Sequence, residues 1–255
     1  MVAGCEMPAG CVPRTPSREE MLAALVERQG AENVQKLQAV TVAVCGLGGL
    51  GSNVAIALAR AGVGKLILID FDCVDVTNLH RQQYKASQVG VAKAVALPEN
   101  LREISPYIEL ESHQVRVTEE NVMELVGKAD IVVEAFDNAE AKAMLVNAVL
   151  EHNAEVASAM AEGEDRANPS AGEGRAADQK FLVAASGMAG FDDANSIQTR
   201  RISRRFYMCG DGVSDVNDGV GLVAPRVMAC AAHQALTIIR IICGLENMTT
   251  KTSVI

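Results

Sequence analysis

Short apolar runs rich in β-branched residues punctuate this chain, and stretches with helical periodicity separate them. TVAVC (41–45), KLILI (65–69) and ADIVVEAF (129–136) are continuous enough to be strands buried on both faces, whereas IELESHQVRV (108–117) alternates like a strand with one wet face. Between them the spacing predicts helices in SNVAIALARAGVG (52–64), SQVGVAKAVALPENLREISP (87–106), TEENVMELVG (118–127) and DNAEAKAMLVNAVLEH (137–152). The second of these is expected to be interrupted or kinked near Pro98. A further helix starts at Ser17, which forms a capping-box pattern with Glu20 ahead of Met21, Leu22, Leu25 and Val26. Strand and helix thus alternate over the first 150 residues, and that order predicts a mostly parallel sheet with helices on both faces.

The rhythm breaks at 154–180, which is rich in Ala, Gly and acids and lacks an apolar period, so a disordered insertion is expected there. FLVAASGMAG (181–190) resumes the sheet, SIQTRRI (196–202) and RRFYMC (204–209) predict additional, partly antiparallel strands, and GDGVSDVNDGVG (210–221) reads as a flexible loop. LVAPRVMACAAHQALTIIRIICG (222–244) predicts a long C-terminal helix that packs on the sheet or on a second subunit. Residues 1–17, with their Pro, Gly and Ala, read as a disordered leader, which leaves 18–255 as a single domain.

Composition narrows the classes. With 49% apolar residues, only 3% aromatics and no Trp, the core must be built from Ala, Val, Leu, Ile and Met. No run is apolar enough for a membrane span and the N-terminus lacks a basic start followed by an apolar centre, so a cytoplasmic protein is expected. A net charge of −9 argues against a nucleic-acid partner. The seven cysteines form no CxxC pair, so neither a disulfide framework nor zinc is signalled.

The chemistry gathers after the strands. Gly46, Gly48 and Gly51 match G-x-G-x-x-G between a strand and a helix, where close backbone amides and a helix N-terminus suit a phosphate. Asp70 ends the next strand, at the place of a ribose-binding carboxylate. An NAD-linked oxidoreductase would look the same to this point. The stretch DFDCVDVTNLHRQ and the following GVAK then add Asn78, Arg81 and Lys93, of which the two cations, Arg81 and Lys93, suit charge developing on phosphorus. Asp137, after the third apolar strand, is a suitable Mg²⁺ ligand because Mg²⁺ takes one or two carboxylates plus phosphate oxygens.

GLGGLGS, LIDFDCVDVTNLHRQQY, QVGVAK and EAFDNAEAK together resemble the ThiF/MoeB-type adenylyltransferases, relatives of the ubiquitin-activating enzymes, over about residues 28–153 and 181–245. RVTEEN, LVAASGMAG, RRFYMCGDGVS, APRV and CAAHQA are most similar to the short ThiF branch linked to thiamine biosynthesis. The resemblance implies a Rossmann-like α/β fold in which Gly46, Gly48, Gly49 and Gly51 cradle ATP, Asp70 and Asp72 lie at the nucleotide, Asn78, Arg81 and Lys93 act around the phosphates, and Asp137 holds Mg²⁺. It implies a ThiS-like sulfur carrier protein as partner, a homodimer, and an N-terminal Arg, with Arg18 and Arg28 as candidates, that reaches the neighbouring subunit's site. Activation of a molybdopterin-type carrier, tRNA threonylcarbamoyladenosine dehydration and a non-catalytic scaffold remain alternatives. The two CxxC pairs of zinc-binding members are missing, and Cys209, in YMCGDG at the mouth of a loop, is the candidate for sulfur transfer or a covalent carrier link, against an ordinary loop thiol.

Overall fold

A computed structural model describes residues 13–163 and 178–246. Seven strands form one sheet in the order β3-β2-β1-β4-β5-β7-β6: β1 Thr41–Cys45, β2 Lys65–Ile69, β3 Glu109–His113, β4 Ile131–Glu134, β5 Phe181–Ala185, β6 Gln198–Arg201 and β7 Phe206–Gly210. Every neighbouring pair is parallel except β6–β7, which closes one edge as an antiparallel hairpin. The expected Rossmann-like, mostly parallel α/β architecture is what the chain forms.

The helices are α1 Arg18–Gln29, α2 Ala31–Ala39, α3 Gly49–Ala61, α4 Lys93–Ile104, α5 Val122–Val126, α6 Ala139–Gly163 and α7 Ala224–Ile242. Alternate residues of each central strand enter different cores. Val42, Val44, Leu66, Leu68 and Val133 pack with Leu58 of α3 and with Cys230 and Ile238 of α7. Ala43, Cys45, Ile67, Ile69 and Val132 pack on the other face with Val126 of α5 and with Leu145 and Val149 of α6. Burial on both faces is why these strands read as unbroken apolar runs. α7 therefore packs against the sheet and α3, one of the two placements its composition allowed.

Ser17 caps α1 through the expected reciprocal pair with Glu20. Three expectations are corrected. First, α4 runs unbroken through Pro98. Proline cannot donate to the Ala94 carbonyl one turn back, and the Ser112 hydroxyl of β3 donates to that carbonyl instead. Second, α6 continues to Gly163, ten residues into the segment expected to be disordered, because its alanines propagate a helix without needing a buried face. Residues 164–177 of that segment, and residues 1–12 of the expected leader, lie outside the described residues. Third, Cys209 is not an accessible thiol at the mouth of the loop: it is the next-to-last residue of β7 and has no exposed surface.

Candidate active site

Crossover connections bring the carboxyl ends of β1, β2, β4 and β5 to one rim, and a cavity of about 790 Å³ opens there. Gly46, Gly48, Gly49, Asp70, Asp72, Asn78, Arg81, Lys93 and Asp137 all line it. Residues spread over 92 positions of sequence thus face one space, the arrangement on which a phosphoryl chemistry depends. Gly51 lies in the first turn of α3 beneath that lining: a Cβ there would stand 1.8 Å from the Gly46 carbonyl oxygen, so no other residue fits. Gly46 itself has φ +90°, and a Cβ would meet the Ala135 carbonyl at 2.7 Å.

Asp70 is buried, and its carboxylate holds the loops around it. Oδ2 accepts the Leu47 backbone N–H at 2.6 Å and Oδ1 accepts that of Asp72 at 2.8 Å. Burial pushes its pKa up, opposed by the Lys93 charge and these two amides. Each oxygen keeps a lone pair for a ligand hydroxyl. The Tyr84 hydroxyl donates to the Leu47 carbonyl at 2.7 Å and ties the glycine loop to the segment after Arg81.

The two cations arrive on separate elements. Lys93 opens α4, is buried, and its Nζ lies 3.3 Å from Asp72 Oδ2. Arg81 follows a short turn, Val76–Asn78, capped by Asp75, and its Nη1 donates to the Thr77 carbonyl at 3.0 Å. Burial lowers the Arg81 pKa while the Asp137 carboxylate raises it, so the two charges sense each other across the cavity. Asn78 Oδ1 accepts the Asp75 N–H, which leaves its NH₂ end for a ligand. His80 is exposed, with Nδ1 2.8 Å from the Thr77 carbonyl and Nε2 3.2 Å from that of Leu222.

Among the described residues no group of three or more His, Cys, Asp or Glu could hold a metal by side chains alone. Asp137 is exposed at the rim and is a single carboxylate, a donor set that fits Mg²⁺ only in company with phosphate oxygens. Arg18 and Arg28 stand away from this cavity: Arg18 lines a small depression with Lys65, Glu109 and Tyr107 by the opposite ends of the strands, and Arg28 pairs with Glu27 at 3.5 Å on the surface. Cys209 faces Thr199 and Thr237, and burial raises its thiol pKa, the opposite of the shift an activated nucleophile needs.

Two supports were not foreseen. Glu134, fully buried at the end of β4, pairs with Lys142 of α6 and accepts the Phe136 N–H at 2.8 Å, while Lys142 Nζ also donates to the Ala185 carbonyl at 2.8 Å. A lone acid inside an apolar strand run was the available signal, since such a charge needs a partner. Arg226 of α7, 3% exposed, pairs with Asp211 and donates to the carbonyls of Ala189, Asp192 and Asp193. It fastens two loops after β5 and β7, and nothing in the spacing of these residues announces it.

The family model described as ThiF family matches residues 20–255. The chain belongs to the ThiF family. The ThiF-family chain is 38% identical over 115 residues to the sulfur carrier protein adenylyltransferase of Thermus thermophilus, covering 45% of this chain and 42% of that protein. It is 38% identical over 120 residues to the adenylyltransferase and sulfurtransferase MOCS3 of Anopheles gambiae, covering 47% and 27%. It thus spans less than half the length of these relatives. In fold it is similar to E. coli tRNA N6-threonylcarbamoyladenosine dehydratase, TcdA, crystallised with ATP, at a TM-score of 0.73, 21% identity, 91% of this chain and 98% of that one. E. coli MccB with ATP shares the fold at a TM-score of 0.59 and 20% identity over 85% of this chain and 59% of that one. No helix of the described residues is long and apolar enough to cross a membrane.

Proposed function

We propose that this ThiF-family chain is a nucleotidyltransferase that uses ATP to adenylylate the C-terminal carboxylate of a ubiquitin-like sulfur carrier protein. The observation that carries the reading is the convergence of Arg81, Lys93, Asp137, Asp70 and the glycine loop on one cavity. The relative from Thermus thermophilus, named a sulfur carrier protein adenylyltransferase, supports the substrate class. The resemblance of RRFYMCGDGVS and APRV to the short ThiF branch supports a ThiS-like carrier, a place in thiazole formation and a homodimer.

In this reaction a carrier carboxylate oxygen bonds to the α-phosphorus of ATP, and the bond from that phosphorus to the bridging oxygen breaks. Acyl adenylate and pyrophosphate leave. A carboxylate is ionised at neutral pH, so the chain supplies position and charge rather than a base. Asp70 takes the ribose hydroxyls, the amides around Gly46 and Gly48 take phosphate oxygens, and Arg81 and Lys93 meet the charge that grows in the transition state. Asp137 would hold Mg²⁺, which when bound neutralises phosphate oxygens.

The test is ATP–pyrophosphate exchange with a panel of purified sulfur carriers, one lacking its C-terminal diglycine. Exchange with an intact carrier and none with the truncated form is expected; no exchange with any carrier overturns the reading. A second reading, tRNA-directed chemistry, is favoured by the fold likeness that covers nearly all of TcdA. Exchange stimulated by tRNA and by no carrier would establish it.

A further inference from the structure

Two loops beside the cavity are held by an ion pair that has nothing left over for a ligand. Arg226, in the first turn of α7, is 3% exposed. Its Nε donates to the Ala189 carbonyl at 2.9 Å, Nη1 to those of Asp192 and Asp193 at 2.7 and 2.9 Å, and Nη2 to the Ser196 hydroxyl at 3.2 Å and to Asp211 Oδ2. A guanidinium has five N–H donors, so this one is fully committed. Asp211 is equally committed. Its Oδ1 accepts the Val213 and Ser214 N–H groups at 2.8 and 2.9 Å, and Oδ2 accepts the Ser214 hydroxyl at 2.7 Å beside Arg226. Ser214 Oγ in turn accepts the Ala189 N–H at 3.0 Å, and a Cβ on Gly187 would stand 1.9 Å from Asp211 Oδ1.

The pair thereby locks the loop after β5 to the loop after β7, and residues 186–189 and 214–216 of those loops line the cavity. In the strand order these loops lie beyond β4 from β1 and β2, the strands whose ends carry Gly46 and Asp70. The nucleotide has its cradle on that far side, and the wall held by Arg226 is left for the group that attacks it. Apolar packing could close such loops as well, since replacing a buried ion pair by apolar residues is often neutral or stabilising. We propose that Arg226 is a positioning residue for the acceptor: acting through Asp211 and the three carbonyls, it fixes the wall against which the acceptor carboxylate is aimed at the α-phosphorus. This rests on the reading of the cavity as an adenylylation site. Arg226 touches neither substrate, and a lysine does not replace it, because an ammonium has three donors at one point and cannot serve acceptors spread along two loops.

Pyrophosphate exchange with an intact sulfur carrier, at saturating ATP and carrier, and calorimetric titration of ATP test this in wild type, Arg226→Lys and Asp211→Asn. Misaiming an attacking group by about 1 Å costs on the order of 10²-fold in rate. Arg226→Lys should therefore lower kcat about 10- to 100-fold, and Asp211→Asn less, while both bind ATP with wild-type stoichiometry and an affinity within two-fold of wild type. Unchanged stoichiometry separates misaiming from partial unfolding, which would remove ATP sites in proportion to activity. Exchange within two-fold of wild type in both variants, or a loss of ATP binding that matches the loss of exchange, overturns the role of Arg226 and leaves the adenylylation reading standing. Should Arg226→Lys fail to fold, Asp211→Asn decides by the same criteria. Wild type that exchanges with no carrier overturns the reading itself, and this role with it.

Discussion

Lys142→Met leaves Glu134 buried and unpaired, and its consequences can be worked from the structure. Glu134 has no exposed surface, and among the described residues its carboxylate is held, besides Lys142, only by backbone amides, the Phe136 N–H at 2.8 Å and the Ala185 N–H at 3.5 Å. Breaking such a pair costs about 3–5 kcal/mol, which for a chain of this size is a drop of roughly 6–20 °C in Tm. The pH dependence has a definite sign. Burial already raises the Glu134 pKa in the wild type, with Lys142 opposing it. Without Lys142 the folded-state value rises further above the unfolded one. The variant therefore keeps its stability below the unfolded carboxyl pKa and loses it as pH climbs toward the new folded value. Urea unfolding at pH 5 and pH 8 measures this, with Lys142→Met/Glu134→Gln as the control that removes the orphan charge. The single variant should be much weaker at pH 8 than at pH 5, and the double variant should recover part of the loss at pH 8. A single variant within about 1 kcal/mol of wild type at both pH values would refute the idea that this pair anchors the strand end before Asp137.

Arg81→Ala should lower carrier-dependent pyrophosphate exchange about 10²- to 10³-fold while nucleotide affinity changes far less; unchanged exchange would remove Arg81 from the reacting centre. Asp211 is pushed up by burial, but the Ser214 and Val213 amides, the Ser214 hydroxyl and Arg226 outweigh this and hold its pKa at about 2. That contribution is present above the unfolded value and is lost as pH falls toward about 2, so between pH 5 and pH 2 the wild type should lose roughly 2 kcal/mol more than Asp211→Asn in urea unfolding. Among cysteines of the described residues, Cys73 is exposed at the cavity and Cys45, Cys209, Cys230 and Cys243 are buried. Peptide mapping after brief alkylation should find Cys73 modified ahead of those four, with bound ATP slowing it; rapid labelling of Cys209 would restore a chemical role for that thiol.

The central sheet was legible because strands buried on both faces read as short apolar runs, and their length, β-branched content and flanking glycines set TVAVC and KLILI apart from buried helix segments. The places of Gly46, Asp70 and Asp137 were legible because each comes within three residues of the end of such a strand, whereas Asn78, Arg81 and Lys93 lie farther on and were singled out by their residue types and by resemblance. What escaped was what depends on side chains meeting across long separations. Nothing local shows that Ser112 substitutes for the donor that Pro98 lacks, or that Arg226 closes on Asp211. Cys209 lies one residue before the end of β7, close to where the strand RRFYMC was expected to stop, and what the sequence did not show is that Thr199 and Thr237 bury its thiol. The end of α6 was missed because a weakly apolar alanine run can be helical on propensity alone, and periodicity does not detect it.

The hydroxyl of Ser112 ties the outermost parallel strand to the helix that begins at Lys93. Edge strands are the first part of a sheet to open, and here opening would release the Ala94 carbonyl from its borrowed donor and fray the first turn of that helix with it. Amide exchange at the sheet margin and mobility of the Lys93 ammonium are thereby expected to be coupled, although the two lie on different elements.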